Sequence, residues 1–232
     1  MRPTNVSDAR AFGFVPSVTT VIDRTLRKYG LELWKAEQLV LAVETTPRLP
    51  NEADDDFVRR VVQVECHQDA EAKAARDRGT AIHDLMARVM RKEWVDCDHP
   101  MFPWIDPALS ALHFGKVIAV EKVLVGPGYA GTTDLIQESP DAYMLTDYKT
   151  SKTLPKEPYI EHKLQLSAYA EAWQRRLIGD DRAIYKKIRV RNVYVSTTEV
   201  GKYSIHEHLD WQTTYEHGFK PLLQYFNWVN NL

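Results

Sequence analysis

Gly131-Thr-Thr-Asp134 and, one turn later, Thr146-Asp147-Tyr-Lys149 bring two carboxylates and an ammonium to a single point. Between them lies Glu138-Ser-Pro-Asp-Ala142, and Ser-Pro-Asp is strong turn chemistry because proline presets φ for the second turn position. The two segments therefore read as a β-hairpin centred between Pro140 and Asp141. If Glu138 faces Tyr143, every opposed pair sums to the same number and Asp134 falls opposite Asp147. Asp147 and Lys149 then project to one face and Tyr148 to the other. Opposed Cβ atoms lie about 4.5–5.5 Å apart, and like charges so placed repel unless something cationic sits between them. Leu135, Ile136, Met144 and Leu145 make both strands apolar around the acids, which argues against a solvated pair on an exposed face. Buried acids demand a partner, and a divalent metal is the obvious one. Two acids, a metal and a lysine are what metal-assisted hydrolysis of a phosphodiester needs.

Outward from the hairpin, the chain changes character near residue 115. Upstream the pattern is helical. Ser17 can cap a helix over Val18–Tyr29, a second helix runs from about Leu31 to Glu44, and Asp54-Asp-Asp56 gives the next one an acidic first turn that suits its macrodipole. Helical pattern continues to about Trp94. The segment Asp96–Pro103 reads as loop and Pro107–Phe114 as a short helix. Downstream come strands at Val117–Val125, Ala130–Gln137 and Ala142–Lys149, a helix over Tyr159–Ile178, strands near Ile184–Ser196 and Lys202–Leu209, and a closing helix from Trp211 to about Asn230. The expectation is an α/β protein whose central mixed β-sheet has an antiparallel meander at its core and helices on its faces. Residues 1–232 read as a single domain, with 1–115 mainly helical and 116–232 holding the sheet.

Composition suits one compact domain: 232 residues, 44% hydrophobic, with glycine and proline too scarce for disorder. No apolar run approaches the ~20 residues of a membrane span, and the first residues lack a signal-peptide core, so a soluble, cytoplasmic protein is expected. Cys66 and Cys97 read as free thiols. A net charge of −2 excludes bulk electrostatic coating of nucleic acid, leaving any such binding to a local patch. Lys149, Lys152, Lys156 and Lys163 cluster after the hairpin. Lys187, Arg189 and Arg191 share one face of a later strand and fit either a phosphate-binding patch or the gatekeeping charges of a solvated edge strand.

His83 lies in the helical run Ala72–Met90 on a stripe with Gly79, Met86, Ala87 and Met90, where a core histidine is the plain reading. Gln165 and Tyr169, four apart, share one face of a helix. Glu121 opposes Asp134 if the Gly126-Pro-Gly128 loop spans four residues and points away if it spans three, since a one-residue slip reverses the face.

Asp134, then Asp147-Tyr-Lys149, preceded by Gly79-Thr-Ala-Ile-His83 and followed by Gln165-Leu-Ser-Ala-Tyr169, resembles the PD-(D/E)XK nucleases, and in particular their RecB-like branch. The four motifs occur in that family's order over roughly residues 79–173. Two departures stand: the first acidic motif reads Thr-Asp134 instead of Pro-Asp, and Asp147 replaces the frequent Glu. The resemblance implies a restriction-endonuclease-like fold and a metal-dependent deoxyribonuclease, an exonuclease sooner than an endonuclease. It implies catalysis by Asp134, Asp147 and Lys149, with His83, both acids and the Tyr148 backbone carbonyl holding one or two Mg²⁺ or Mn²⁺ ions. Imidazole among the ligands favours Mn²⁺. It makes Glu121 a second-tier acid, and it gives Gln165, Tyr169, Lys152 and Thr80 a role in orienting DNA. Relatives that hold an iron–sulfur cluster use four cysteines, so two exclude that cofactor. The compact phage-type or mitochondrial-type exonucleases are the nearest likeness, with linear DNA as substrate and a single-strand annealing or recombination protein as companion.

Overall fold

The computed structural model describes residues 14–27, 29–63, 70–96, 98–178 and 186–232. Cys66, Cys97 and the start of the strand near Ile184 lie outside them. The helices are α1 (Val18–Thr25), α2 (Tyr29–Thr45), α3 (Asp54–Gln63), α4 (Ala70–Met90), α5 (Phe102–Ala111), α6 (Ile160–Arg176), α7 (Trp211–Thr214) and α8 (Lys220–Asn230). One five-stranded sheet runs in the order β1 (Lys116–Gly126), β2 (Tyr129–Glu138), β3 (Ala142–Ser151), β4 (Lys187–Ser196) and β5 (Tyr203–His208). β1, β2 and β3 form the antiparallel meander, β3 and β4 pair in parallel through α6, and β5 returns antiparallel. The sheet is mixed and flanked by helices, as the sequence pattern implies.

Alternation divides the core. Ile136, Leu145 and Val190 face α1, α6, the π turn and α8, where Tyr129, Tyr169, Trp173, Phe219 and Phe226 fill the layer. Leu135, Tyr148, Val193 and Val195 face the other way, toward Ile82, Leu85 and Met86 of α4 and Ile105 and Ala108 of α5. At about 25 cal/mol per Å² of buried apolar surface, these two layers supply the main drive for folding. Ser17 caps α1 by accepting the Thr20 amide at 3.0 Å, and Pro16 O accepts the Ala130 amide at 3.0 Å, tying the opening segment to β2.

Several boundaries differ from the sequence reading for identifiable reasons. α1 stops at Thr25 because Leu26 turns extended, at a place with no glycine or proline to announce it. α5 begins at Phe102, inside the expected loop, because Pro103 occupies a first-turn position where its missing N–H costs nothing. The closing helix is broken by a π turn over Tyr215–Phe219. Pro221 cannot donate to the carbonyl one turn back, and the backbone widens just before it. β4 lies between β3 and β5 and is not an edge strand.

The chain separates into two compact units: one takes in the chain up to Leu26 and Gly79–Leu232, the other Arg27–Arg78. Within the smaller unit, Phe57 and Val61 are buried, and Arg60 grips Glu52 with two bonds of 2.8 and 2.9 Å. The sheet and all the residues discussed below belong to the larger one.

Candidate functional site

The β2–β3 ladder keeps the expected register from Glu138↔Tyr143 to Leu135↔Thr146 and stops there. One further step would oppose Asp134 to Asp147. Instead the strands part, and the Asp134 carboxylate fills the gap: its Oδ2 accepts the Tyr148 amide N–H at 2.6 Å. Both acids are nearly buried, Asp134 at 7% and Asp147 at 2% exposure. Burial pushes the Asp147 carboxyl well above the usual carboxylate range, against the pull of the Lys149 ammonium and with the neighbouring charge of Asp134 adding to the push.

Each acid has a basic partner. His83 Nε2 lies 3.1 Å from Asp134 Oδ1, and that hydrogen bond raises the imidazole pKa by more than burial lowers it, with the charges of Asp134, Asp147 and Glu121 assisting. Lys149 Nζ lies 2.8 Å from Asp147 Oδ2. The glycines of the two motifs explain how these partners come so close. A Cβ on Gly79 would sit 2.6 Å from Thr150 Oγ1, so only glycine lets α4 lie against β3 one turn before His83. A Cβ on Gly131 would sit 2.5 Å from the Tyr169 ring, so glycine there admits α6 against β2.

That second approach builds a relay. Tyr169 OH accepts the Gln165 Nε2 at 2.9 Å, and Gln165 Oε1 accepts Lys149 Nζ at 3.0 Å. Gln165 and Tyr169 are buried, at 7% and 3% exposure, and so face Lys149 and the β2 backbone, not solvent. Among the described residues two of the three lysine N–H donors have partners, and the side chain is 22% exposed.

Glu121 takes the register that opposes Asp134, because the β1–β2 turn closes at Gly126↔Tyr129 and the ladder holds through Lys122↔Thr133 and Val120↔Leu135. Its backbone is left-handed at φ 49°, and its carboxylate is engaged by Arg91. It joins the acids in position but not in contact. Thr80 and Lys152 are exposed. The basic strand does not form a phosphate patch: Arg189 pairs with Glu207 at 2.5 and 2.6 Å, and Arg191 is buried, so among the described residues only Lys187 of the three faces solvent without a carboxylate.

Two residues that no motif flagged touch the site. Asn192, fully buried on β4, donates Nδ2–H to Asp147 Oδ2 at 3.1 Å, and buried His208 on β5 lies 2.8 Å from Asn192 Oδ1. Neither contact is readable in the sequence: the first crosses the parallel β3–β4 pair joined through α6, and the second runs diagonally across the antiparallel β4–β5 pair.

Among the described residues no three His, Cys, Asp or Glu side chains are already gathered as ligands around one point. The acids are instead compensated by His83 and Lys149. The donor set nonetheless suits a divalent ion: two desolvated carboxylates, one imidazole and a main chain that parts beside them. A carboxyl destabilised by its burial and by a second acid gains most from a cation.

A mixed sheet with this acid pair and lysine on neighbouring strands defines a nuclease class. The chain belongs to the PD-(D/E)XK nuclease superfamily, whose family model matches residues 110–227. Membership points to a metal-dependent nuclease with DNA as substrate. Comparison with the curated proteins found no match. A solved structure described as "Crystal structure of SSO0001" is 15% identical, with a TM-score of 0.36 over 82% of each chain, too distant to bear on the site. No helix among the described residues is long and apolar enough to cross a membrane.

Proposed function

We propose that this protein is a DNA exonuclease of the RecB-like branch, acting in recombination or repair alongside an annealing or recombination protein. The observation that carries the chemistry is the convergence of His83, Asp134, Asp147 and Lys149 at the point where β2 and β3 part. The choice of exonuclease rests on the ordered motifs at Gly79–His83, Asp134, Asp147–Lys149 and Gln165–Tyr169, whose likeness is to end-processing enzymes. That step is analogy.

Asp134, Asp147, His83 and the Tyr148 carbonyl are the groups that would hold Mg²⁺ or Mn²⁺. A divalent ion there supplies positive charge against the phosphate and makes a water acidic enough to attack it. The chain's own residues do the rest. Lys149 keeps one N–H donor for a phosphate oxygen, and its ammonium opposes the negative charge that grows as the attacking oxygen adds. Gln165, held by Tyr169, fixes the lysine so that no reorganisation is needed at that moment. Lys152 and Thr80, both exposed, are placed to meet the DNA backbone, which makes binding salt-dependent.

The test is degradation of linear single- and double-stranded DNA beside a closed circle, by wild type and Lys149→Ala, with Mn²⁺, Mg²⁺ or EDTA. Metal-dependent loss of linear substrates alone, absent in the variant, supports the reading. Cutting of circles replaces it with an endonuclease. DNA binding without cleavage under either metal replaces it with a binding module of the same fold.

A further inference from the structure

We propose that Asn192 and His208 are positioning residues that fix the Asp147 carboxylate for cation binding, through a buried hydrogen-bond chain running from β5 across β4 to β3. This assignment rests on the metal-dependent reading above. The chain is short and closed: His208 Nε2 to Asn192 Oδ1 at 2.8 Å, then Asn192 Nδ2 to Asp147 Oδ2 at 3.1 Å. Asn192 is 0% exposed, His208 6% and Asp147 2%, so no water competes for these bonds.

The order of donors and acceptors is forced. Asp147 Oδ2 already faces the Lys149 ammonium at 2.8 Å and acts as an acceptor, so the Asn192 amide must turn its nitrogen toward it. Asn192 Oδ1 then faces β5 and can only accept, so His208 Nε2 carries the hydrogen. Remove that donor and the amide loses one of the two bonds that together hold it in the orientation that keeps its nitrogen, not its oxygen, against the carboxylate. With Lys149 and Asn192 both on Oδ2, the carboxylate plane is fixed from one side and Oδ1 is the oxygen left for a cation. Burial, with the charge of Lys163 adding to it, holds the His208 imidazole down to about 4 and so neutral, with a single N–H to give.

Packing alone does not account for this pair. Register sets Asn192 beside Asp147 on β3 and His206 on β5, and Val190 beside His208. Asparagine is a poor strand residue, and burying its amide costs free energy that a valine would avoid. The polar choice has a consequence only at Asp147. Outer partners of metal ligands act in this way, by restricting the ligand's orientation before the ion arrives.

The experiment is calorimetric titration of the full chain with Mn²⁺, without DNA, for wild type, Asn192→Ala, Asn192→Ser, His208→Leu and His208→Gln, each checked by circular dichroism and melting. Loss of the amide at 192, or of the donor at 208, should weaken Mn²⁺ binding about 10- to 100-fold. His208→Gln, whose Nε2 can stand where the imidazole Nε2 stood, should stay within about threefold of wild type. The two substitutions at 192 differ in polarity, so a folding defect in one leaves the other to decide. Wild-type affinity in the 192 variants and in His208→Leu would overturn the assignment and leave the nuclease reading standing. So would equal weakening in His208→Gln and His208→Leu, since packing would then explain both. No Mn²⁺ binding by wild type would overturn the metal reading and this assignment together.

Discussion

Two neighbouring rungs of the β3–β4 ladder bury polar groups on opposite faces of one sheet, and they do so differently. On one rung Thr146 pairs with Arg191; on the next Asp147 pairs with Asn192. The Arg191 guanidinium is sealed among neutral acceptors: Thr146 Oγ1 at 2.9 Å, Gln137 Oε1 at 2.9 Å and Leu112 O at 3.4 Å. Burial lowers its pKa from the ordinary guanidinium value, and among the described residues no carboxylate lies in its hydrogen-bond shell. Asp147, in contrast, is held by a lysine whose side chain is 22% exposed. A cation satisfied wholly from within is scaffold. An acid whose counter-charge sits at the protein's edge can accept another.

The sharpest way to break this contrast is to neutralise each rung in turn. Asp134→Ala or Asp147→Ala should abolish turnover, and Lys149→Ala should reduce it on the order of 10²–10³-fold while leaving Mn²⁺ binding largely intact, which single-turnover kinetics and calorimetry would separate. Arg191→Leu should instead act on stability. Leaving the buried Thr146 and Gln137 oxygens without a donor, while Leu112 O keeps the Gln137 Nε2 at 2.9 Å, should cost about 3–4 kcal/mol, read from the denaturant midpoint, with activity per folded molecule retained. If Arg191→Leu abolished activity without unfolding, the division between scaffold and site would fail.

A smaller effect sharpens the picture on the Asp147 side. His208 titrates at about 4 in the folded chain against an ordinary 6.5, so the unfolded state binds more protons between these values. Its contribution is present in full above pH 6.5 and is lost as pH falls through that window, amounting to roughly 3 kcal/mol by pH 4. The difference in stability between wild type and His208→Gln should follow that curve; a difference independent of pH would mean the imidazole is not neutral in the fold. The smallest effect is expected at Gly79→Ala, where the new methyl meets Thr150 Oγ1. The cost should be about 1–2 kcal/mol, relieved in the double variant with Thr150→Ala.

What was legible in the sequence was local. The Ser-Pro-Asp turn carried the β2–β3 register, and the consecutive apolar pairs Leu135-Ile136 and Met144-Leu145 carried the burial of both strands around the acids. Helical spacing placed Gln165 beside Tyr169, yet their burial and their hold on Lys149 depend on α6 closing over the sheet. Asn192 was invisible because its parallel pairing with β3 has no turn to fix its register, and His208 because it reaches Asn192 diagonally across the antiparallel β4–β5 pair. Glu121 shows the limit from another side. Its two possible registers could be read from the strand, but its left-handed backbone and its pairing with Arg91 follow from tertiary contacts. The Lys187–Arg191 strand read as basic because its charges share a face. The sheet order then buried Arg191, and Glu207 on β5 took Arg189.

The parallel join between β3 and β4 also sets a timetable. The Asp134 contact with the Tyr148 amide closes across 14 residues, whereas Asn192 reaches Asp147 across 45 and only after α6 has crossed the sheet. Longer closures cost more chain entropy before any contact rewards them, and crossover pairings form late. A chain leaving the ribosome thus holds its two acids early and completes their orientation last, so the hydrolytic geometry is withheld until the rest of the sheet exists. Pulsed hydrogen exchange during refolding should find the amides of the β2–β3 hairpin protected before those of β4.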